Sequence, residues 1–142
     1  MAAGVKREPP YTLDILRLAA SLPLEGELAQ ADGVGEARSA TCGSRVRCSI
    51  RVADGRVVQV VQQVTACAYG QASAALLQGW APGRLKAEVI VMRAALKAWL
   101  EGRGEVPASF AALGPVQGRS GRHGAVLVPF DALLAGLSEA PK

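Results

Sequence analysis

The sequence predicts an α+β domain, a three-stranded antiparallel sheet with helices packed on one face. Three observations carry that expectation. Val46, Cys48, Ile50 and Val52 alternate with Arg45, Arg47, Ser49 and Arg51, a period of two that belongs to a strand with one buried and one basic face. Asp54-Gly55 follows at once as a hairpin turn, because glycine tolerates the positive φ such turns need. Apolar stripes at helical spacing then lie before and after the strand region.

In chain order, residues 1–10 read as a flexible leader and 11–142 as a single domain. Tyr11 to Leu22 reads as a helix with Leu13, Leu16 and Ala20 on its apolar face, Asp14 and Arg17 opposite, and Pro23 as the stop. Glu25 to Glu36 is polar and glycine-containing, so a loop is expected, with the first strand near Ala37 to Thr41. The alternating strand follows Cys42-Gly43. Val57 to Thr65 returns as its partner, with valine on both faces and therefore a less defined register.

Cys67 ends that strand. Gln71 to Gln78 reads as a short helix, broken by Ala81-Pro82-Gly83. Leu85, Val89, Met92, Leu96 and Trp99 then mark a longer helix, with Glu88, Arg93 and Lys97 off the stripe and Gly102 as its stop. The glycine-rich residues 103–124 read as a long surface loop, with a brief helical turn near Phe110 to Leu113. Pro129 is expected in the first turn of a last helix whose apolar face is Phe130, Leu133, Leu134 and Leu137.

At 142 residues the chain is long enough for one sizeable core, and at 50% hydrophobic residues it is globular rather than disordered. Aromatics are 4%, so the core is built from Val, Leu, Ile and Ala. No apolar run approaches the ~18 residues of a membrane span, which argues against a membrane protein. Three cysteines and no secretory pattern point to reduced thiols in a cytoplasmic protein, where cysteine serves metal or redox chemistry more than stapling. The net charge of +4 is mild. Arg45, Arg47 and Arg51 read as a solvated sheet face, and no aromatic alternates with them to stack bases, so no nucleic-acid partner is expected.

The chemistry concentrates in three short stretches, Thr41-Cys42-Gly43, Ala66-Cys67-Ala68 and Arg122-His123-Gly124. Each sets a soft ligand in a bend of small residues. A free thiol titrates near about 8.5, and the thiolate is the metal ligand. Two thiolates ~4 Å apart repel by roughly 1–4 kcal/mol in wet surroundings. A divalent cation removes that penalty. Two Cys and one His with one open position suit tetrahedral zinc, and thiolates with imidazole also suit iron–sulfur clusters. Cys48, on the apolar strand face, reads as a small buried hydrophobe. His123 reads either as a ligand or as a solvated side chain of its loop. Ser44 reads as a structural hydroxyl, and Tyr69 either shields the site or only packs.

These stretches resemble the iron–sulfur cluster assembly scaffold family of IscU, SufU and the NifU N-terminal domain, over Tyr11 to Leu137. The family's Ala/Thr-Cys-Gly-Asp stands here as Thr41-Cys42-Gly43-Ser44. Its Gly-Cys-x-x-x-x-Ala-Ser-x-Ser stands as Ala66-Cys67-Ala68-Tyr69-Gly70-Gln71-Ala72-Ser73-Ala74-Ala75. Its His-Cys or Lys-Cys before the last helix stands as His123-Gly124. The family's Asp position therefore holds Ser44 and its third Cys position holds Gly124. The long segment from Gly102 to Gly121 is similar to the insertion of the SufU branch.

The resemblance implies a scaffold or carrier that binds iron or a labile cluster, [2Fe–2S] in type, through Cys42, Cys67 and His123. It implies a cysteine desulfurase as sulfur donor and apo iron–sulfur proteins as recipients. One chain has too few ligands to fill such a cluster, so two chains sharing it, a homo-oligomer, or an external thiol would complete it. Two other readings stay open. One is a SufU-like, zinc-dependent sulfur acceptor with Cys42 as the catalytic thiol. The other is an interaction module that kept the fold and lost the metal. The spatial expectation common to the first two is that Cys42, Cys67 and His123 converge on one exposed pocket while Cys48 points into the core.

Overall fold

A computed structural model of the chain describes residues 11–23, 26–40 and 43–141. The expected leader, and Thr41 and Cys42, lie outside the described residues. The strands β1 (Gly33–Arg38), β2 (Arg45–Ala53) and β3 (Arg56–Thr65) form one antiparallel sheet in the order β1-β2-β3. Around it lie the helices α1 (Leu13–Ser21), α2 (Ala68–Trp80), α3 (Lys86–Leu100) and α4 (His123–Glu139). The α+β class and the three-stranded sheet are as the sequence predicts.

The central hairpin follows its sequence signals closely. Asp54 and Gly55 adopt φ of 53° and 74°, the paired positive values of a tight hairpin turn. Val46, Cys48 and Ile50 are buried on the inner face of β2. A register shift at Arg51/Val52 explains the poor alternation of β3, because a bulge admits an extra residue and turns Val58 outward. Further along β3, the buried Gln62 donates from Nε2 to the Ala74 carbonyl at 2.9 Å and to Gln78 Oε1 at 2.8 Å, joining the strand to α2.

The first strand begins earlier than the expected Ala37, at Gly33. Its glycines, which suggest a loop in sequence, are what let the strand lie directly on α4. A Cβ on Gly33 would stand 2.1 Å from the Gly136 carbonyl oxygen, and one on Gly35 would stand 2.1 Å from that of Ala132. Backbone meets backbone there, and only glycine fits. These two contacts also set the direction. Two strand residues advance about 6.6 Å and four helical residues about 6 Å, so β1 runs antiparallel along α4 in step with it.

Helix α1 presents the opposite face to the one expected. Leu13 and Leu16 are 60% and 47% exposed, while Ile15 is fully buried and Leu18 packs against the core. Both faces carry apolar side chains, and burial goes to the one beside Tyr11, whose ring meets Tyr69 edge-on at 4.9 Å. The Thr12 hydroxyl caps the helix by accepting the Ile15 N–H at 3.2 Å. Helix α2 is longer than expected, starting at Ala68 and running to Trp80. Helix α3 buries Val89, Leu96 and Trp99 as its stripe predicts. At its start the Glu88 carboxylate accepts the Leu85 N–H at 3.0 Å, which with Arg84 and Arg56 holds its pKa below the usual carboxylate range.

Two further expectations are corrected. Residues 108–118 are not a surface loop but 3₁₀ turns, broken by a kink at Phe110 (φ −119°, ψ 17°), that bury Phe110, Leu113 and Val116. Those three recur every third residue, the period at which a 3₁₀ turn stacks its side chains. Phe110 then joins Phe130 (centroids 5.4 Å apart) and Trp80 in an aromatic cluster. The last helix begins at His123, not near Pro129, which sits inside it. Proline there withholds one N–H from the Ala125 carbonyl. The burial of Ala125, Val126 and Val128 on the same helix compensates.

Candidate functional site

The described residues of the three chemistry-bearing stretches lie toward one end of the sheet. β2 begins with Arg45 opposite Thr65, the last residue of β3. The turn between β1 and β2 is closed at that end by the Ser39 N–H donating to the Ser44 carbonyl at 2.8 Å and the Gly43 N–H donating to that of Ser39 at 3.2 Å. Gly43 carries the positive φ (71°) that this turn requires. Cys42 belongs to this turn in sequence but lies outside the described residues. Ser44, in the family's Asp position, is buried at 2% exposure.

Cys67 is the N-cap of α2, and its side chain makes no capping hydrogen bond. Its carbonyl accepts the Gln71 N–H at 2.9 Å, and the Gln71 side-chain amide donates to the Ala66 carbonyl at 3.1 Å. The backbone is thus pinned on both sides of a half-buried free thiol. His123 opens α4. The first turns of these two helices touch: a Cβ on Gly70 would lie 2.7 Å from Ala66 Cβ and 3.3 Å from Ala125 Cβ. One turn on, the Ser73 hydroxyl donates to the Val126 carbonyl at 2.7 Å. The structure therefore brings together the helix starts that carry Cys67 and His123. Both are amide-rich ends with a positive dipole, which favours negative charge between them.

The ring of His123 is held by the 3₁₀ segment. Its Nε2 lies 2.8 Å from the Gln117 carbonyl oxygen and 3.1 Å from that of Val116. Carbonyl oxygens only accept, so Nε2 carries a proton and donates to them, and in the neutral ring the lone pair is left to Nδ1. A ligating imidazole is commonly fixed in this way by its other nitrogen. A soft divalent ion therefore fits the donor set of free thiol and unprotonated Nδ1. Among the described residues no group of three or more His, Cys, Asp and Glu side chains gathers, so no carboxylate joins Cys67 and His123.

The other side chains singled out from sequence settle as follows. Cys48 is fully buried, and burial pushes its thiol up to about 12. Tyr69 is 1% exposed and packs against Tyr11. Arg47 pairs with Glu27 and Glu36 on the outer sheet face, where Leu28 N–H donates to the Ser49 hydroxyl at 3.1 Å. The segment from Gly26 thus covers part of the face expected to be solvated. An apolar groove of about 400 Å³ lies along α3, lined by Trp80, Arg84, Val91, Met92 and Pro107, and neither Cys67 nor His123 lines it.

The family model of the NifU-like N-terminal domain matches residues 11–118. The chain belongs to the NifU-like N-terminal domain family. His123 lies beyond the matched residues, whereas Cys42 and Cys67 lie within them. Among solved structures, the N-terminal NifU-like protein from Brucella abortus is similar at 30% identity and a TM-score of 0.82, over 90% of this chain and 92% of that one. A protein from Fervidobacterium islandicum AW-1, described as an iron–sulfur cluster assembly scaffold for the SUF system, reaches the same TM-score of 0.82 at 21% identity, over 90% and 96%. No curated protein sequence matches the chain. Among the described residues of this NifU-like domain, no helix is long and apolar enough to cross a membrane.

Proposed function

We propose that this NifU-like domain is an iron–sulfur cluster assembly scaffold or carrier, holding iron or a nascent cluster as cargo through Cys42, Cys67 and His123. The observation that carries the reading is the contact between the first turns of α2 and α4. That contact joins the helix starts that carry the Cys67 thiol and the His123 imidazole, and it supports a shared site with Cys42, which belongs in sequence to the β1–β2 turn. Family membership supports the same role, as does the scaffold description of the Fervidobacterium protein with which the fold is shared. The reading includes a cysteine desulfurase as sulfur donor, apo iron–sulfur proteins as recipients, and a cytoplasmic site of action.

The test is anaerobic purification with metal and acid-labile sulfide analysis of the wild type, Cys42→Ala, Cys67→Ala and His123→Ala. A brown chromophore with stoichiometric sulfide, lost in Cys67→Ala, is the expected result. Absence of iron and sulfide from the wild type, with no change in any variant, overturns it.

A second reading, a zinc-dependent sulfur acceptor, is favoured by the donor count. Ser44 and Gly124 replace two family ligand positions, and no described carboxylate replaces them. Cys42, Cys67 and His123 Nδ1 would hold zinc, which would supply thiolate character at neutral pH. Cys42 thiolate would then attack the outer sulfur of a donor persulfide. A new S–S bond forms, the donor's S–S bond breaks, and the donor cysteine leaves as a thiolate. Since the chain has a single histidine, ¹⁵N spectroscopy of its ring tests the fit without any activity assay. The metal-free protein should show the Nε2–H form, and zinc should shift Nδ1 alone. A response at Nε2, or none, removes His123 from the ligand set.

A further inference from the structure

The last pair of residues before the β1–β2 turn is two arginines. Arg38 stands directly opposite Arg45 in the register. Both point to the outer sheet face, since each lies one residue from an inward position, Ala37 and Val46. Like charges placed opposite one another across two strands destabilise the pairing. Arg47, Arg56, Arg84, Arg93 and Arg103 each reach a carboxylate of Glu27, Glu36, Glu88, Asp131 or Glu101. Among the described residues Arg38 and Arg45 have no such partner, and both are exposed. Among the described residues Arg17, Arg51, Arg119 and Arg122 also reach no carboxylate, but in the sheet register only Arg38 and Arg45 stand arginine against arginine.

Their place gives them a use. Arg45 is level with Thr65, two residues before Cys67, and the two arginines flank the turn that contains Cys42. A macromolecule that reaches the Cys67 end across the outer sheet face meets this pair. We infer that Arg38 and Arg45 form a docking site for an acidic protein segment, one with two carboxylates spaced to meet both guanidinium groups. The inference rests on the proposed function only for why a partner comes to this end.

Charge complementarity selects that occupant. Opposed residues of an antiparallel pair are about 5 Å apart, close to the spacing of alternate side chains on an extended strand, about 6.6 Å. Each guanidinium can bind a carboxylate through two parallel hydrogen bonds. The site is one row deep, because the next row holds Glu36 beside Arg47. A nucleic acid backbone is poorly served by so short a positive strip. No aromatic stands on the outer face, where Val34, Ser49, Val61 and Gln63 follow, to stack a base. Among the described residues of a second copy, the carboxylates outside ion pairs, Asp14, Asp32, Asp54, Glu105 and Glu139, stand singly in sequence, so none supplies two carboxylates at alternate positions.

The experiment uses the full chain and a fluorescent, photo-crosslinkable glutamate-rich peptide at physiological salt, read by anisotropy and by mapping the cross-links. The wild type should bind, with cross-links in residues 38–45 and 65–67. The double variant Arg38→Ser/Arg45→Ser should bind about tenfold more weakly. Arg51→Ser should bind as the wild type does. The charge-conserving Arg38→Lys/Arg45→Lys, whose fold is the least disturbed, should lose part of the affinity because lysine cannot bind a carboxylate through two parallel hydrogen bonds. Three results overturn the inference: equal binding by wild type and both double variants, an equal loss in Arg51→Ser, or stronger binding of oligouridylate or phosphatidylserine vesicles than of the peptide. Zinc uptake by the same proteins separates this from the proposed function. Uptake should be unchanged in the arginine variants and lost in Cys67→Ala. If Cys67→Ala keeps its zinc, the functional reading falls while the docking result stands on the peptide alone.

Discussion

Cys48 and Cys67 are the same side chain in two opposite settings. Cys48 lies midway along β2, sealed beneath α4, level with Gly35 and Gln62 and fully excluded from water. Cys67 lies where β3 gives way to α2, half-buried, uncapped and next to residues no larger than alanine. Position in the strand accounts for the first, because an inward residue of a central strand has neighbours on every side. The second sits at a junction, where side chains thin out and backbone amides face outward. A thiol in the first setting is held in its neutral form, and a thiol in the second is open to reaction and to metal.

The widest separation between the two is expected in thiol labelling. In the native, metal-free protein Cys67 should react freely. Cys48 should react only through an opening of the core, slower by a factor on the order of a thousand or more. Mass spectrometry after peptide digestion measures both rates, and comparable rates would break the contrast. The next effect is alkaline. The Cys48 thiol is raised to about 12 in the fold. The unfolded chain releases that proton near about 8.5 and the folded chain keeps it, so the unfolded state binds fewer protons between these values. Stability is therefore complete below the lower value and falls as pH rises toward the upper one, by about 1.4 kcal/mol per pH unit. Urea titrations across this window should show the slope, and Cys48→Ala should flatten it. The smallest effect is truncation at neutral pH. Cys48→Ala should cost about 1–2 kcal/mol, and Cys67→Ala in the metal-free protein less than about 0.5 kcal/mol, by chemical denaturation.

The contrast between these cysteines was readable before any coordinates. Alternation assigns Cys48 inward, and the Ala66-Cys67-Ala68 junction marks the other as exposed chemistry. The hairpin and α3 were equally legible, since each obeys one period with one stop signal. What escaped the sequence are the places where two signals compete. Gly33 and Gly35 look like loop residues until α4 lies against them, which no local pattern reports. Leu13 and Leu16 make as good an apolar stripe as Ile15 and Leu18, and the choice falls to tertiary packing, in which Tyr11, Ile15 and Leu18 join the core and Tyr11 meets Tyr69. The 3₁₀ segment did carry a signal, the threefold spacing of Phe110, Leu113 and Val116, masked by the five glycines of residues 103–124. The partners of His123 Nε2 could not be found at all, because the Val116 and Gln117 carbonyls belong to the backbone and have no residue signature.

The direct seating of β1 on α4 has a consequence for how this domain can vary. Where two main chains touch with no side chain between them, there is nothing to trim, enlarge or exchange by a single codon change. Inheritance can tinker with the loops and the outer helix faces one letter at a time, but along this seam it must keep both walls as they are or rebuild them together.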